Sequence, residues 1–157
     1  MGSEMCIRDR CYPRPIQETI PLLVGGSGEK RTLRLVAQYA DACNLFGEPD
    51  VVRHKVEVLH RHCADVDRSP QEIEVTQLSA LLCAADPAAV RDRLADLAPN
   101  MPAADAAQRF TASSPAEHVD RFGRLAEAGV QTAIVSLADV GHPGSIEAFA
   151  PVIDQLS

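Results

Sequence analysis

At 157 residues, with 46% hydrophobic and 24% charged side chains, the chain has the composition of one soluble globular domain rather than of a disordered segment. A formal net charge of -7 without a basic stripe argues against nucleic acid and anionic membrane surfaces as partners, because both require clustered Lys and Arg to offset phosphate charge. No apolar run approaches the roughly 20 residues that span a bilayer and no secretory pattern opens the chain, so a cytoplasmic protein is expected. Five cysteines at irregular spacing, Cys6, Cys11, Cys43, Cys63 and Cys83, suggest neither a disulfide framework nor a zinc site. Cys43 and Cys83 fall in apolar runs and read as small core residues.

Residues 1–11 share no periodicity with the rest of the chain and are read as a non-native or disordered leader; the domain is placed at 12–157, after the Pro-punctuated stretch from Tyr12 to Gln17. Ile20 to Val24 is a short strand, closed by Gly25-Gly26-Ser27-Gly28. Thr32, Leu33, Val36, Ala37 and Ala40 then recur at helical spacing. Asp41 to Leu45 is the next strand, and Val52, Val56, Leu59 and Cys63 mark the buried face of a helix that starts at Pro49. Ser69-Pro70-Gln71-Glu72 forms a short turn before a long strand from Ile73 to Leu82. Asp86-Pro87 opens a helix with Val90, Leu94 and Leu97 inward, and residues 99–113 are the loosest stretch.

Ser114-Pro115-Ala116-Glu117 is a capping box leading a helix with Val119, Phe122, Leu125 and Ala126 inward and Gly129 as its stop. Gln131 to Leu137 is the fourth strand. Ser145 is read as the cap of a last helix that buries Ala148, Phe149, Val152, Ile153 and Leu156, with Pro151 inside it. Four βα units predict a parallel sheet with flanking helices, either open and doubly wound or part of a barrel. A closed (β/α)8 barrel takes roughly 250 residues, so four units are half of one.

Chemistry concentrates between the first strand and helix, in Val24-Gly-Gly-Ser-Gly-Glu-Lys-Arg31. Glycines there let the backbone approach an anion, and helix N-terminal amides point at it; phosphate is the natural guest. The spacing is neither the dinucleotide-binding GxGxxG nor the GxxxxGK[ST] of nucleotide triphosphatases. Together with Pro13-Arg-Pro-Ile-Gln17, Thr32-Leu-Arg-Leu-Val-Ala37 and Tyr39-Ala-Asp-Ala-Cys-Asn44, the segment resembles the luciferase-like monooxygenase family, and within it the F420-dependent branch.

That resemblance implies the C-terminal half of a (β/α)8 barrel whose cofactor, coenzyme F420 or alternatively FMN, lies at the C-terminal ends of the strands. It assigns Gly25, Gly26, Ser27 and Gly28 to the cofactor phosphate, Lys30 more weakly because its helix turns it outward, and leaves Glu29 facing solvent. It implies hydride transfer to or from a small organic substrate by the parent protein. The family's first four βα units have no counterpart here, so no catalytic residue is assigned and the chain alone is expected to be inactive. Open strand edges predict association as a homodimer or aggregation.

His54, His60 and His62 share a helix without metal-ligand spacing, and no metal is expected. His118 is expected at the surface. His142 follows the fourth strand, where a barrel places its active-site loops, yet reads as a turn residue, and Ser136 and Asp139 read as strand-end caps. Ser113 and Ser114 lie in no nucleophile elbow. Asp92 and Asp96 read as a solvated helix face. The competing class is a complete small α/β module that binds a phosphorylated ligand without chemistry. A complete module covers both faces of its sheet, whereas half a barrel leaves inward aliphatic side chains bare.

Overall fold

The computed structural model describes residues 16–156. The leader, Cys6, Cys11 and the Tyr12–Pro15 part of the first motif lie outside them. The order of elements is β1 (Leu23–Gly25), α1 (Thr32–Tyr39), β2 (Ala42–Leu45), α2 (Pro49–Asp65), a single 3-10 turn (Pro70–Glu72), β3 (Glu74–Cys83), α3 (Pro87–Leu97), α4 (Ala103–Arg109), β4 (Ala112–Ser113), α5 (Pro115–Glu127), β5 (Thr132–Leu137) and α6 (Ser145–Leu156).

All pairings are parallel. β1 lies beside β2, β2 beside Glu74–Gln77 of β3, and β5 runs along the other side of β3 from Thr76 to Leu81. The two-residue β4 pairs with Leu82 and Cys83 at the C-terminal end of β3. Residues 99–113, expected to be irregular, therefore hold a short helix and a fifth strand. The reason is an alanine-rich turn of helix whose Ala106 packs with Leu82 and Leu94 in a small second core. An apolar face of alanines carries too little hydrophobic contrast to show in periodicity.

Strand side chains alternate between two faces. Cys43, Leu45, Val75, Leu81 and Cys83 face the helices and join Leu33, Val36, Val52, Leu59, Leu125 and Val152 in the main core. The opposite face carries Leu23, Leu78 and Ile134, which are 54%, 38% and 41% exposed. Among the described residues, helices cover the first face, and the opposite face at the C-terminal end of β3, where Leu82 packs with Leu94 of α3 and Ala106 of α4.

Capping follows the sequence closely. Asp86 Oδ1 accepts the amides of Ala88 and Ala89 at 2.8 and 2.9 Å, and Glu117 accepts the Ser114 amide at 2.9 Å. Gly129 ends α5 with φ +100°, a conformation that favours glycine. Ser145, expected as a cap, is instead the first residue of α6 and donates its hydroxyl to Asp139 at 3.1 Å.

Several inward assignments differ. Ile20 is exposed and β1 starts only at Leu23; Ala126 is exposed, as are Ile153 and Leu156 at the outer side of α6. Conversely, His118 is fully buried. It occupies the helix face that meets Leu82 and Phe149, and its ring nitrogen Nε2 lies 3.1 Å from the Leu82 carbonyl, to which it donates. Helical phase, not polarity, decided its side of α5.

Candidate functional site

The glycine segment forms the turn from the C-terminal end of β1 into α1. Gly25 pairs with Asn44, and the Gly26 amide donates to the Asn44 carbonyl at 3.1 Å. Gly26 has φ +138°, where a side chain would be strained. A Cβ on Gly28 would stand 2.8 Å from Thr32 Oγ1, so the close turn requires its absence. The Leu33 amide donates to the Gly28 carbonyl at 3.0 Å and locks the turn to α1. Among the described residues, the amides of Ser27 through Arg31 donate no backbone hydrogen bond. These free donors, at the positive end of a helix dipole, form a cradle suited to a phosphate-sized anion.

Ser27, Gly28 and Lys30 meet around one open depression of about 610 Å3, together with Glu29, Arg31, Thr32 and, from α2, Lys55. Gly25 and Gly26 do not line it; they shape the turn behind it. Lys30 and Arg31 are exposed. Glu29, expected to face solvent, is instead held: its Oε1 lies 2.5 Å from Lys55 Nζ and 3.3 Å from His54 Nε2. The hydrogen bond and charge of Lys55 hold the Glu29 carboxyl below the usual carboxylate range. Three cationic side chains then stand against one neutralised carboxylate, which favours an anionic guest. Neither Lys55 nor Thr32 could be found by motif, because the first reaches the loop from the next helix and the second matters only through the turn's geometry.

Other reactive side chains have structural partners. Burial pushes the Cys43 and Cys83 thiols up to about 11, which leaves them un-ionised and inert as nucleophiles. Asp139 pairs with Arg93 at 3.1 Å and accepts from Ser145, while His142 is exposed and donates its amide to the Asp139 carbonyl. His62 donates from Nε2 to the Glu29 carbonyl at 2.7 Å, whereas His54 and His60 are exposed. Among the described residues no group of three or more His, Cys, Asp or Glu is arranged to hold a metal ion. Buried Arg121 was not anticipated. It donates to Ser79 at 3.2 Å and pairs with Glu48 at 3.4 Å, tying α5 to β3 and to the loop before α2.

A second depression, about 770 Å3, lies between α3, α4 and the start of α5; it is lined chiefly by alanines with Leu94 and Met101 and shares no residue with the glycine turn. Its polar members are Arg91, Ser113, Ser114 and Glu117, and the last two are engaged with each other in the capping box of α5. No described helix is long and apolar enough to cross a membrane.

A parallel sheet flanked by helices, with a glycine turn and unpaired amides at the C-terminal end of a strand, defines an α/β protein of the barrel type. The chain belongs to the luciferase-like monooxygenase family, whose sequence model matches residues 8–146. No curated protein sequence matches it. Among solved structures it is similar to an F420-dependent secondary alcohol dehydrogenase in complex with an F420-acetone adduct, at TM-score 0.67 and 19% identity over 93% of this chain and 51% of that one. It is also similar to the coenzyme F420-dependent tetrahydromethanopterin reductase of Methanopyrus kandleri, at TM-score 0.58 and 18% identity over 85% and 49% of the two chains. A riboflavin lyase with modified FMN and riboflavin shares the fold at TM-score 0.57 and 15% identity over 85% and 42%. The chain spans about half the length of the solved structures it matches.

Proposed function

We propose that this chain supplies the cofactor-phosphate half of a luciferase-like oxidoreductase that uses coenzyme F420, or alternatively FMN, on a small organic substrate. The observation that carries the reading is the Gly25–Gly28 turn at a strand's C-terminal end, with unpaired amides from Ser27 to Arg31, inside the segment that matches the family. When bound, the cofactor's ring would supply hydride transfer. The chain's own part is to hold the phosphate tail through the amides of Ser27 and Gly28, the Ser27 hydroxyl and the charges of Lys30 and Arg31. Gly25 and Gly26 set the turn.

The catalytic groups belong, in this reading, to βα units outside this chain, so the chain alone binds weakly and turns over nothing. Bare Leu23, Leu78 and Ile134 on one sheet face support the reading over a complete small binding module, which would cover them. Free Cys43, Cys63 and Cys83 suit the cytoplasm, where thiols stay reduced. The exposed face also suits self-association of the isolated chain as a homodimer.

Titration of F420 and of FMN, followed by fluorescence, tests this on the chain and on a protein extended upstream by its coding DNA. Tight binding and turnover in the extended protein, lost with Gly28→Val, is the expected result. A soluble monomeric chain that binds phosphate, from a gene with a stop codon directly upstream, would favour the binding module.

A further inference from the structure

The middle of the glycine turn is fixed from outside. Gly26 ties its start to β2 and the Gly28 carbonyl ties it to α1, but the amides of Ser27 to Arg31 donate no backbone bond among the described residues. Helix α2 supplies the missing anchors at Glu29. Lys55 grips the carboxylate at 2.5 Å, and His62, two turns further along the same helix face, donates to the Glu29 carbonyl at 2.7 Å. Lys55 is only 16% exposed and lines the anion depression alongside Ser27 and Gly28.

This arrangement resolves an electrostatic conflict. A free carboxylate on the rim of a phosphate cradle would repel its guest, and Glu29 is such a carboxylate. We infer that Lys55 is a positioning residue for the cradle: by neutralising and pinning Glu29, with His62 holding the same residue's backbone, it lets the turn accept phosphate. The inference rests on the phosphate reading of the turn given above. It extends that reading to a second helix.

The probe is inorganic phosphate, titrated into the chain and followed through backbone amide NMR shifts of residues 27–31. Lys55→Met is expected to weaken binding about tenfold, or about 1.4 kcal/mol. Lys55→Arg should stay within about twofold of the parent chain, since it keeps the charge. Glu29→Gln combined with Lys55→Met removes the repulsion along with its remedy and should recover most of the loss. A purely structural Lys55 would give no such recovery. Phosphate affinity unchanged by Lys55→Met, or a double variant as weak as the single one, overturns the inference.

Hydrogen exchange of the same amides separates this from failure of the phosphate reading. If the parent chain shows no phosphate shifts, that reading falls, and exchange alone decides the clasp. Faster exchange at residues 27–31 in Lys55→Met and in His62→Ala, with the rest of the chain unchanged, supports it. Unchanged exchange there overturns it.

Discussion

Thr32 sets how tightly the glycine turn can close, because its Oγ1 occupies the space a Gly28 side chain would need. Gly28→Ala forces Thr32 from its rotamer at about 1 kcal/mol, and phosphate binding is expected to weaken roughly fivefold. Adding Thr32→Ala should restore affinity to nearly that of the parent chain; phosphate-dependent amide shifts measure both. In α5, His118 donates to the Leu82 carbonyl while its Nδ1 has no partner among the described residues. Burial holds its pKa below the ordinary 6.5, and the nearby charge of Arg121 acts in the same direction. The unfolded chain therefore takes up a proton that the folded chain resists. The contribution of neutral His118 is complete above the unfolded value and is lost as pH falls from there through the folded value. His118→Gln, which keeps a donor toward Leu82, is expected to flatten the fall in urea midpoint between about pH 7 and 5. The lowered carboxylates Glu29 and Glu117 act only further down, below their ordinary 4.5, so the two windows separate.

At the scale of elements, helix starts carry much of the local specification. Asp86 satisfies two otherwise orphaned amides of α3, and Pro87 at the first helical position has no amide to lose. Asp86→Ala should cost about 1 kcal/mol of stability, read as a shift in urea midpoint at constant slope. The same change at Asp92, on the solvated face of α3, is expected to cost little. Beginnings of α2, α3 and α5 and the stop of α5 were legible in Pro49, Asp86, the Ser114–Glu117 box and Gly129 because capping chemistry is local. Element α4 was not legible. Its alanines bury little area each, and what fixes it is contact with Leu82 and Leu94, remote in sequence. The inward placement of Ile153 and Leu156 failed for a related reason: periodicity identifies an apolar stripe, but of that stripe only Phe149 and Val152 are buried.

Across the described residues, one sheet face is insulated by helices and the other stays open around Leu23, Leu78 and Ile134. Edge strands β1 and β5 and bare Leu23, Leu78 and Ile134 give a surface that water meets at a cost, and such surfaces associate. Leu78→Gln with Ile134→Thr is expected to raise the monomer fraction in sedimentation velocity. The unfolding midpoint should hardly move, since neither side chain belongs to the core. A large loss of stability in that double variant would instead mean that the face is packed in solution.

The sequence by itself determined the alternation of strands and helices, the helix caps, the glycine turn and the family likeness, since each of these is written in residues close together along the chain. The tertiary structure alone decided that α2 reaches back to Glu29, that His118 and Arg121 lie buried, and that Gly28 must be bare because of Thr32. Those facts depend on which helix faces meet and how closely the backbone turns. Spacing along a chain records neither, because side chains distant in sequence become neighbours only when the sheet has set the helices side by side.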